Sequence, residues 1–409
     1  MNGAPSCVAL RPGLPCLGSC GGKIVGSGNM VLLAVRCRKG SVRRSAVVEK
    51  RPIDKLTIKG FKTLKDVEIE LGKLNVLIGP NGGGKSNFVS YFHMLREMID
   101  GRLQVWVAKR GGADRVLCYG VKETTNLESV IEFGRNSYRF VLIPNFTGGF
   151  TFSREDVGFD GDFAGNMYIQ MGSGEADSHL KHSNEMIAKY CYASISSWRT
   201  FHFHDTGDTA LVKRKGELQD NHHLRTDASN LAAYLFALNR RSPATYTQIR
   251  DFVRLAIPFF DDFLLEPEEI RPDEYPIQLT WRQIDSDYPL LPSQLSDGSL
   301  RFICLVTALL QPDPPSTIII DEPELGLHPY TIHLLGALFR SASKRMQVIV
   351  ATQSTLLLDE FSIDDLIVVE LQDGVSVFKS LEEEKFTDWL KDFSVGELWD
   401  KNVLGGGLP

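Results

Sequence analysis

One stretch constrains this chain more than any other: Gly79-Pro80-Asn81-Gly82-Gly83-Gly84-Lys85-Ser86, which matches G-x-x-x-x-G-K-[ST]. The pattern has meaning only between a strand and a helix, and both are expected here. Leu74-Asn75-Val76-Leu77-Ile78 is a short apolar run that reads as a buried strand, and residues 86–98 have helical spacing. Glycines let the backbone curl until its N–H groups point inward at an anion, and the helix adds its positive N-terminal end. Lys85 would reach the β- and γ-phosphates of a nucleoside triphosphate, and the Ser86 hydroxyl would hold Mg²⁺. The expected nucleotide-contacting set is Gly79, Pro80, Asn81, Gly82, Gly83, Gly84, Lys85, Ser86 and Asn87. A chance glycine-rich turn is the alternative; strand, loop and helix in the right order count against it.

A phosphate loop hydrolyses nothing alone. It needs a carboxylate for the Mg²⁺ shell and a base to orient the attacking water. Thr317-Ile318-Ile319-Ile320 reads as a buried strand, and Asp321 and Glu322 follow at its carboxyl end, where an α/β sheet presents its site. Asp321 is assigned to Mg²⁺ and Glu322 to the general base. An acidic pair after a strand is ordinarily a plain turn; the phosphate loop upstream shifts the balance.

The bulk numbers exclude other classes. With 409 residues there is room for two or three compact units, or one nucleotide domain with a large insertion. The net charge of −6 implies no general polyanion-binding surface. No apolar run approaches the roughly 18 residues that span a bilayer. Four of the seven cysteines (Cys7, Cys16, Cys20, Cys37) crowd the N-terminus, leaving Cys118, Cys191 and Cys304 scattered. That usage suits a reducing cytosol, with no disulfide framework.

Residues 1–51 differ from the rest: Gly, Pro, Ser and Cys first, then a run rich in Arg and Lys. The apolar stretch 30–35 is too short for a signal peptide, and its basic residues lie on the wrong side. This segment is expected to be a disordered extension; a start assigned too early, with Met30 the true one, fits equally. The folded part, 52–409, should begin near Ile53. Strands are expected over 55–59 and 67–71, with Gly60-Phe61-Lys62 as the turn between them. Residues 101–285 read as an insertion, first β-rich (127–133, 138–143, 149–152), then helical from 178 to 257. Within it, Asp227 is the expected N-cap of a helix over 227–240, Ser242-Pro243 its stop, and 246–255 a second helix. Strand 277–281, helix 300–310, helix 330–341 and strands 347–351, 366–370 and 375–379 complete the reading. Strands and helices alternating on both sides of the insertion point to an α/β fold with a largely parallel sheet.

At this point the sequence resembles the ABC-type ATPases of the RecF, OLD and SMC kind. Leu295-Ser296-Asp297-Gly298-Ser299 is similar to their L-S-G-G-Q signature, and Glu322-Pro323-Glu324-Leu325-Gly326-Leu327-His328-Pro329 to their Walker B end and D-loop. Gly60-Phe61-Lys62 stands where the group has a turn whose basic residue, here Lys62, approaches the nucleotide. The span 53–409, including Phe201-His202-Phe203-His204-Asp205 and Gly396-Glu397-Leu398-Trp399, resembles a bacterial family of predicted ATPases that carry an AAA-type label. The resemblance implies an ABC-type P-loop head binding ATP and Mg²⁺. It implies a homodimer in which each nucleotide lies between one chain's phosphate loop and the other's signature. Ser296 and Gly298 would then meet the partner's γ-phosphate, a hydroxyl and an amide at a helix N-terminus. It further implies work in DNA repair or phage defence, with DNA or RNA and a separately encoded nuclease or other effector as partners.

Two departures bear on rate. Where the group carries a γ-phosphate-sensing histidine, Ala351-Thr352-Gln353-Ser354 supplies Gln353. Glutamine hydrogen-bonds but carries no charge, so slow hydrolysis is expected. The group's Q-loop glutamine has only Gln170 as a candidate. Elsewhere, His202, His204 and Asp205 alternate as on a strand and could ligate a metal, though a structural role is favoured. Lys213-Arg214-Lys215 reads as a solvated loop rather than a phosphate-backbone contact, and Trp399 as a packing anchor. Two competitors stand beside the ATPase switch. A transporter's ATP-binding subunit is disfavoured by the long separation of Lys85 from Asp321; a non-hydrolysing ATP-bound scaffold is kept alive by Gln353. GTP is disfavoured because no N-K-x-D motif appears.

Overall fold

The computed structural model describes residues 30–32, 47–161, 165–203, 205–272 and 275–406. The 1–51 segment lies almost wholly outside them, its four cysteines included. Described within it are an antiparallel pairing of Met30–Leu32 with Val47–Glu49 and, at its end, Arg51, whose N–H donates to Ser194 Oγ at 3.1 Å.

Along the chain, β1 (Lys55–Phe61), β2 (Leu64–Glu70) and β3 (Leu74–Ile78) lead into α1 (Lys85–Ile99). Next come β4 (Leu127–Phe133), β5 (Asn136–Pro144), β6 (Phe150–Gly161) and β7 (Gly165–Gly172). They are followed by α2 (Met186–Ser197), β8 (Arg199–Phe201), α3 (Leu231–Arg241) and α4 (Pro243–Ala256). The last third holds α5 (Asp297–Leu310), β9 (Thr317–Asp321), α6 (Pro329–Ala342) and β10 (Gln347–Thr352). The hairpin β11 (Leu366–Gln372) and β12 (Val375–Ser380) follows them.

Two six-stranded sheets result. The first runs β8-β9-β10-β3-β11-β12, parallel except for the last pair. Its strands β3, β9 and β10 are buried at every position, as expected when helices cover both faces of a parallel sheet. Alternate residues face opposite cores. Val76, Ile318 and Val348 join one core with α5 and α6; Leu77, Ile319 and Ile349 join the other with Phe88, Phe92 and Leu95 of α1. The one polar residue inside β3, Asn75, is satisfied: its amide donates to the Gly72 and Val348 carbonyls and accepts from Gly72 N–H.

The second sheet runs β2-β1-β4-β5-β6-β7 and is antiparallel throughout. The β-rich insertion is therefore not separate from the N-terminal hairpin; its strands extend that hairpin into one sheet. Several local expectations are corrected. The turn after β1 falls at Lys62 and Thr63, since Gly60 and Phe61 continue the strand. The third helix starts at Leu231 rather than Asp227, because Asp227 instead caps a turn through Ser229 N–H at 3.0 Å with Ala228 at φ 55°. Pro243 begins α4 as well as ending what precedes it. The run expected as one strand over 277–281 is split into Pro276–Ile277 and Thr280–Gln283. No described helix is long and apolar enough to cross a membrane.

Candidate functional site

The register of the first sheet assembles the site. Asp321 lies level with Ala351, and Thr352 level with Ile78. The carboxyl ends of β9, β10 and β3 therefore stand side by side, about 4.8 Å apart strand to strand, and present Asp321, Gln353 and the phosphate loop at one edge.

The loop is held by what its glycines allow. A Cβ at Gly79 would sit 2.0 Å from the Val369 carbonyl oxygen, and one at Gly83 2.7 Å from it, so β11 lies directly behind the loop. Gly84, at φ 121°, abuts the Ser376 hydroxyl. Side chains at these positions would push the loop off β11 and β12, so the glycines let it pack flush against them. Lys85 is buried, and its ammonium donates to the Gly79 carbonyl at 2.6 Å and the Pro80 carbonyl at 3.1 Å. Burial lowers its pKa, opposed by the negative charge of Asp321, Glu322 and Glu324, which places all three carboxylates within its field. Ser86 is exposed at the first turn of α1. The glycine loop at the sheet edge, the buried lysine, the hydroxyl and the carboxylates fit a triphosphate with Mg²⁺.

Across the site, Glu322 is held at φ 45° with its N–H on the Ala351 carbonyl at 2.8 Å. Left-handed backbone in a non-glycine residue is costly and clusters at functional sites. Gln353 donates its side-chain amide to Glu322 Oε1 at 3.0 Å, so the expected base and the histidine's replacement touch. Glu324, given no role from sequence, organises this loop: its Oε1 accepts from Thr352 Oγ1 at 2.7 Å and Gln353 N–H at 3.1 Å. Its spacing two residues after Glu322 was the available signal.

The signature forms the N-terminus of α5, which starts at Asp297, earlier than expected. Ser296 is the N-cap, accepting from Ser299 N–H at 3.1 Å. Gly298 is required sterically, because a Cβ there would meet the Gly326 carbonyl oxygen at 2.1 Å. The signature thus rests on the loop that carries Glu322 and Glu324. Among the described residues, no hydrogen bond ties Ser296 or Gly298 to the phosphate loop of the same chain.

Other expected residues fall as follows. Lys62 (φ 48°) donates to Ser90 Oγ at 2.9 Å, and burial lowers its pKa. Asn87 donates to Thr63 Oγ1 at 2.8 Å and Ser376 Oγ to the same hydroxyl at 2.7 Å, so Asn87 fastens α1 to the β1–β2 turn. Gln170 is exposed on β7, the outer edge strand of the second sheet and four strands from β1; it is not brought to the site. His202 stacks on His93 of α1 with Nε2 to Nε2 at 2.6 Å. His204 lies outside the described residues, and no group of three or more metal-ligating side chains occurs among those described. Lys213 departs from the solvated-loop expectation: it is buried and pairs with Asp297 at 3.3 Å, while Arg214 and Lys215 are exposed. Trp399 packs against the first core.

Residues 74–359 match the family model described as "AAA domain, putative AbiEii toxin, Type IV TA system". The chain belongs to this family. Among solved structures, it is similar to an SMC head bound to the C-terminal winged-helix domain of ScpA, with TM-score 0.52 and 18% identity over 82% of this chain and 99% of that one. An SMC head with an extended coiled coil, bound to the C-terminal domain of ScpA from Pyrococcus furiosus, gives TM-score 0.50 and 16% identity over 83% and 98%. At such identities the likeness speaks for the fold alone, an ABC-type P-loop ATPase head. A search of the curated proteins finds no match. Family and fold together make this an ATP-binding AAA-type ATPase domain.

Proposed function

We propose that this family member is an ATP-hydrolysing switch that dimerises on ATP, each head completing the other's site. The observation that carries the reading is the contact between Gln353 and Glu322 at the edge of the sheet that also presents Lys85 and Asp321. Lys85 leaves the loop carbonyls for the β- and γ-phosphates, while the N–H groups of the loop cradle them. Ser86 and Asp321 would hold Mg²⁺, which would supply neutralising charge at the phosphates. Glu322 takes the proton of the attacking water, with Gln353 orienting its carboxylate. Gln353 brings no positive charge to the γ-phosphate, so turnover is slow. Lys62 lies one helical turn beyond the loop, against Ser90, and supports the nucleotide side of α1.

Two features support the sandwich. The signature has an N-capped, anion-attracting helix start in α5, a helix of 14 residues. It also lies toward the β8–β9 side of the sheet, with β10 between it and the strand that carries the phosphate loop. Ser296 and Gly298 therefore serve a nucleotide held by a second copy. By likeness to RecF and OLD proteins, the switch serves DNA repair or phage defence in the cytoplasm, senses DNA or RNA, and passes its state to a separately encoded effector.

Steady-state turnover of the purified chain, with and without duplex DNA, single-stranded DNA and RNA, tests this reading. Slow turnover abolished by Lys85→Ala and raised by one nucleic acid supports it. Turnover indifferent to all of them removes the nucleic-acid sensor. No turnover selects the ATP-bound scaffold, which the Gln353–Glu322 bond would also suit.

A further inference from the structure

The motif Ser296-Asp297-Gly298 contains an electrostatic conflict. The two residues assigned to the partner's γ-phosphate flank a carboxylate, whose side chain is 61% exposed. Like charges facing each other across an interface oppose association. Beneath that carboxylate the fold supplies a cation. Lys213 Nζ lies 3.3 Å from Asp297 Oδ1 with its side chain only 7% exposed. Lysine is rarely buried unless it is paired. Here its position is built in: Gln278 donates to the Lys213 carbonyl at 2.8 Å, and the preceding Val212 sits in the first core. A second cation near Asp297 is Arg301, one turn along α5, whose Nε donates to the Phe203 carbonyl at 2.8 Å. Arg301 anchors the helix to the strand exit, whereas Lys213 contacts the carboxylate directly.

We propose that Lys213 is a charge-compensating, positioning residue of the ATP sandwich. It neutralises Asp297 so that an acidic signature can close over the triphosphate bound by a second copy of this chain. The inference rests on the ATP-dimer reading and assigns the inserted segment around Lys213 a share in the trans site. Lys213 acts through Asp297 and is not itself the phosphate ligand. The charge, rather than the side-chain volume, is what the site needs.

The test uses the full chain with Glu322→Gln throughout, to hold ATP unhydrolysed, and reads dimerisation by analytical ultracentrifugation as ATP is titrated. Adding Lys213→Met weakens the ATP-bound dimer about 30-fold or more. Adding Lys213→Met together with Asp297→Asn restores it to within about threefold, because both charges are then gone. Rescue by the second substitution is what a merely structural role would not produce. The inference is overturned if Lys213→Met dimerises like its parent. It is overturned equally if the double variant stays as weak as Lys213→Met while melting like its parent without nucleotide. If the Glu322→Gln parent itself stays monomeric, the sandwich reading fails first, and this inference falls with it.

Discussion

Replacing Gly298 by alanine tests how the signature is seated. The new methyl would stand 2.1 Å from the Gly326 carbonyl oxygen, whereas ordinary contact begins near 3.4 Å. Both sides are backbone, the first turn of α5 and the loop after Glu322, so no flexible side chain can swing away. One of them must move by about 1.3 Å, a shift that overpacking makes worth about 1–3 kcal/mol of stability. The fold survives such a cost. Catalysis does not, because a displacement of about 1 Å in a positioned group costs on the order of 100-fold in rate. The expected result is a folded variant with a lowered melting temperature, ATPase activity down about 100-fold, and no ATP-dependent dimer. Nucleotide binding to the monomer is retained, since residues 79–86 are untouched. Steady-state turnover, melting and equilibrium binding of a fluorescent ATP analogue read the three quantities. Undiminished turnover would refute the steric reasoning. Lost binding in the monomer would refute the assignment of Gly298 to the partner's nucleotide.

Two further outcomes follow from the side-chain network. Glu324→Ala removes the acceptor of Thr352 Oγ1 and Gln353 N–H, so it should cost about 2–3 kcal/mol in chemical denaturation and slow turnover through Gln353; unchanged stability would contradict the role given to Glu324. His93 is pushed down to about 4, by burial first and then by the charges of His202, Arg110 and Lys62, with Glu97 opposing. It is therefore neutral in the fold and protonates more readily unfolded. Its contribution is complete above pH ~6.5 and is lost as pH falls toward 4, an effect of about 2–3 kcal/mol. Urea midpoints at pH 7.5 and pH 5 should show this loss, and His93→Gln should shrink it; equal pH dependence in both proteins would remove His93 as its source.

The elements proposed to hold the nucleotide were legible in sequence because each combines pattern and chemistry locally. The all-apolar strand before Gly79, the helical spacing after Ser86 and the apolar run ending at Asp321 all lie where expected. What escaped depends on contacts between distant residues. β6 runs to Gly161 although Arg154, Glu155 and Asp156 look like a loop, because the buried Glu155 accepts from Tyr138 Oη at 2.7 Å and His179 N–H at 2.9 Å. The merging of the insertion with the β1–β2 hairpin rests on the β1–β4 pairing, between segments that nothing local in the sequence ties together. Lys213 reads as part of a basic loop until Asp297, far along the chain, comes within 3.3 Å. Gln170 failed as a site residue for the converse reason: a residue type was matched without any local geometry to place it.

The central claim is that ATP joins two heads through the signature. The most direct measurement is the mass of Glu322→Gln by light scattering, with and without saturating ATP and Mg²⁺. The account predicts a monomer without nucleotide and a dimer with it, the dimer lost again when Lys85→Ala is added. A monomer at saturating ATP, in protein shown to bind the nucleotide, would contradict it.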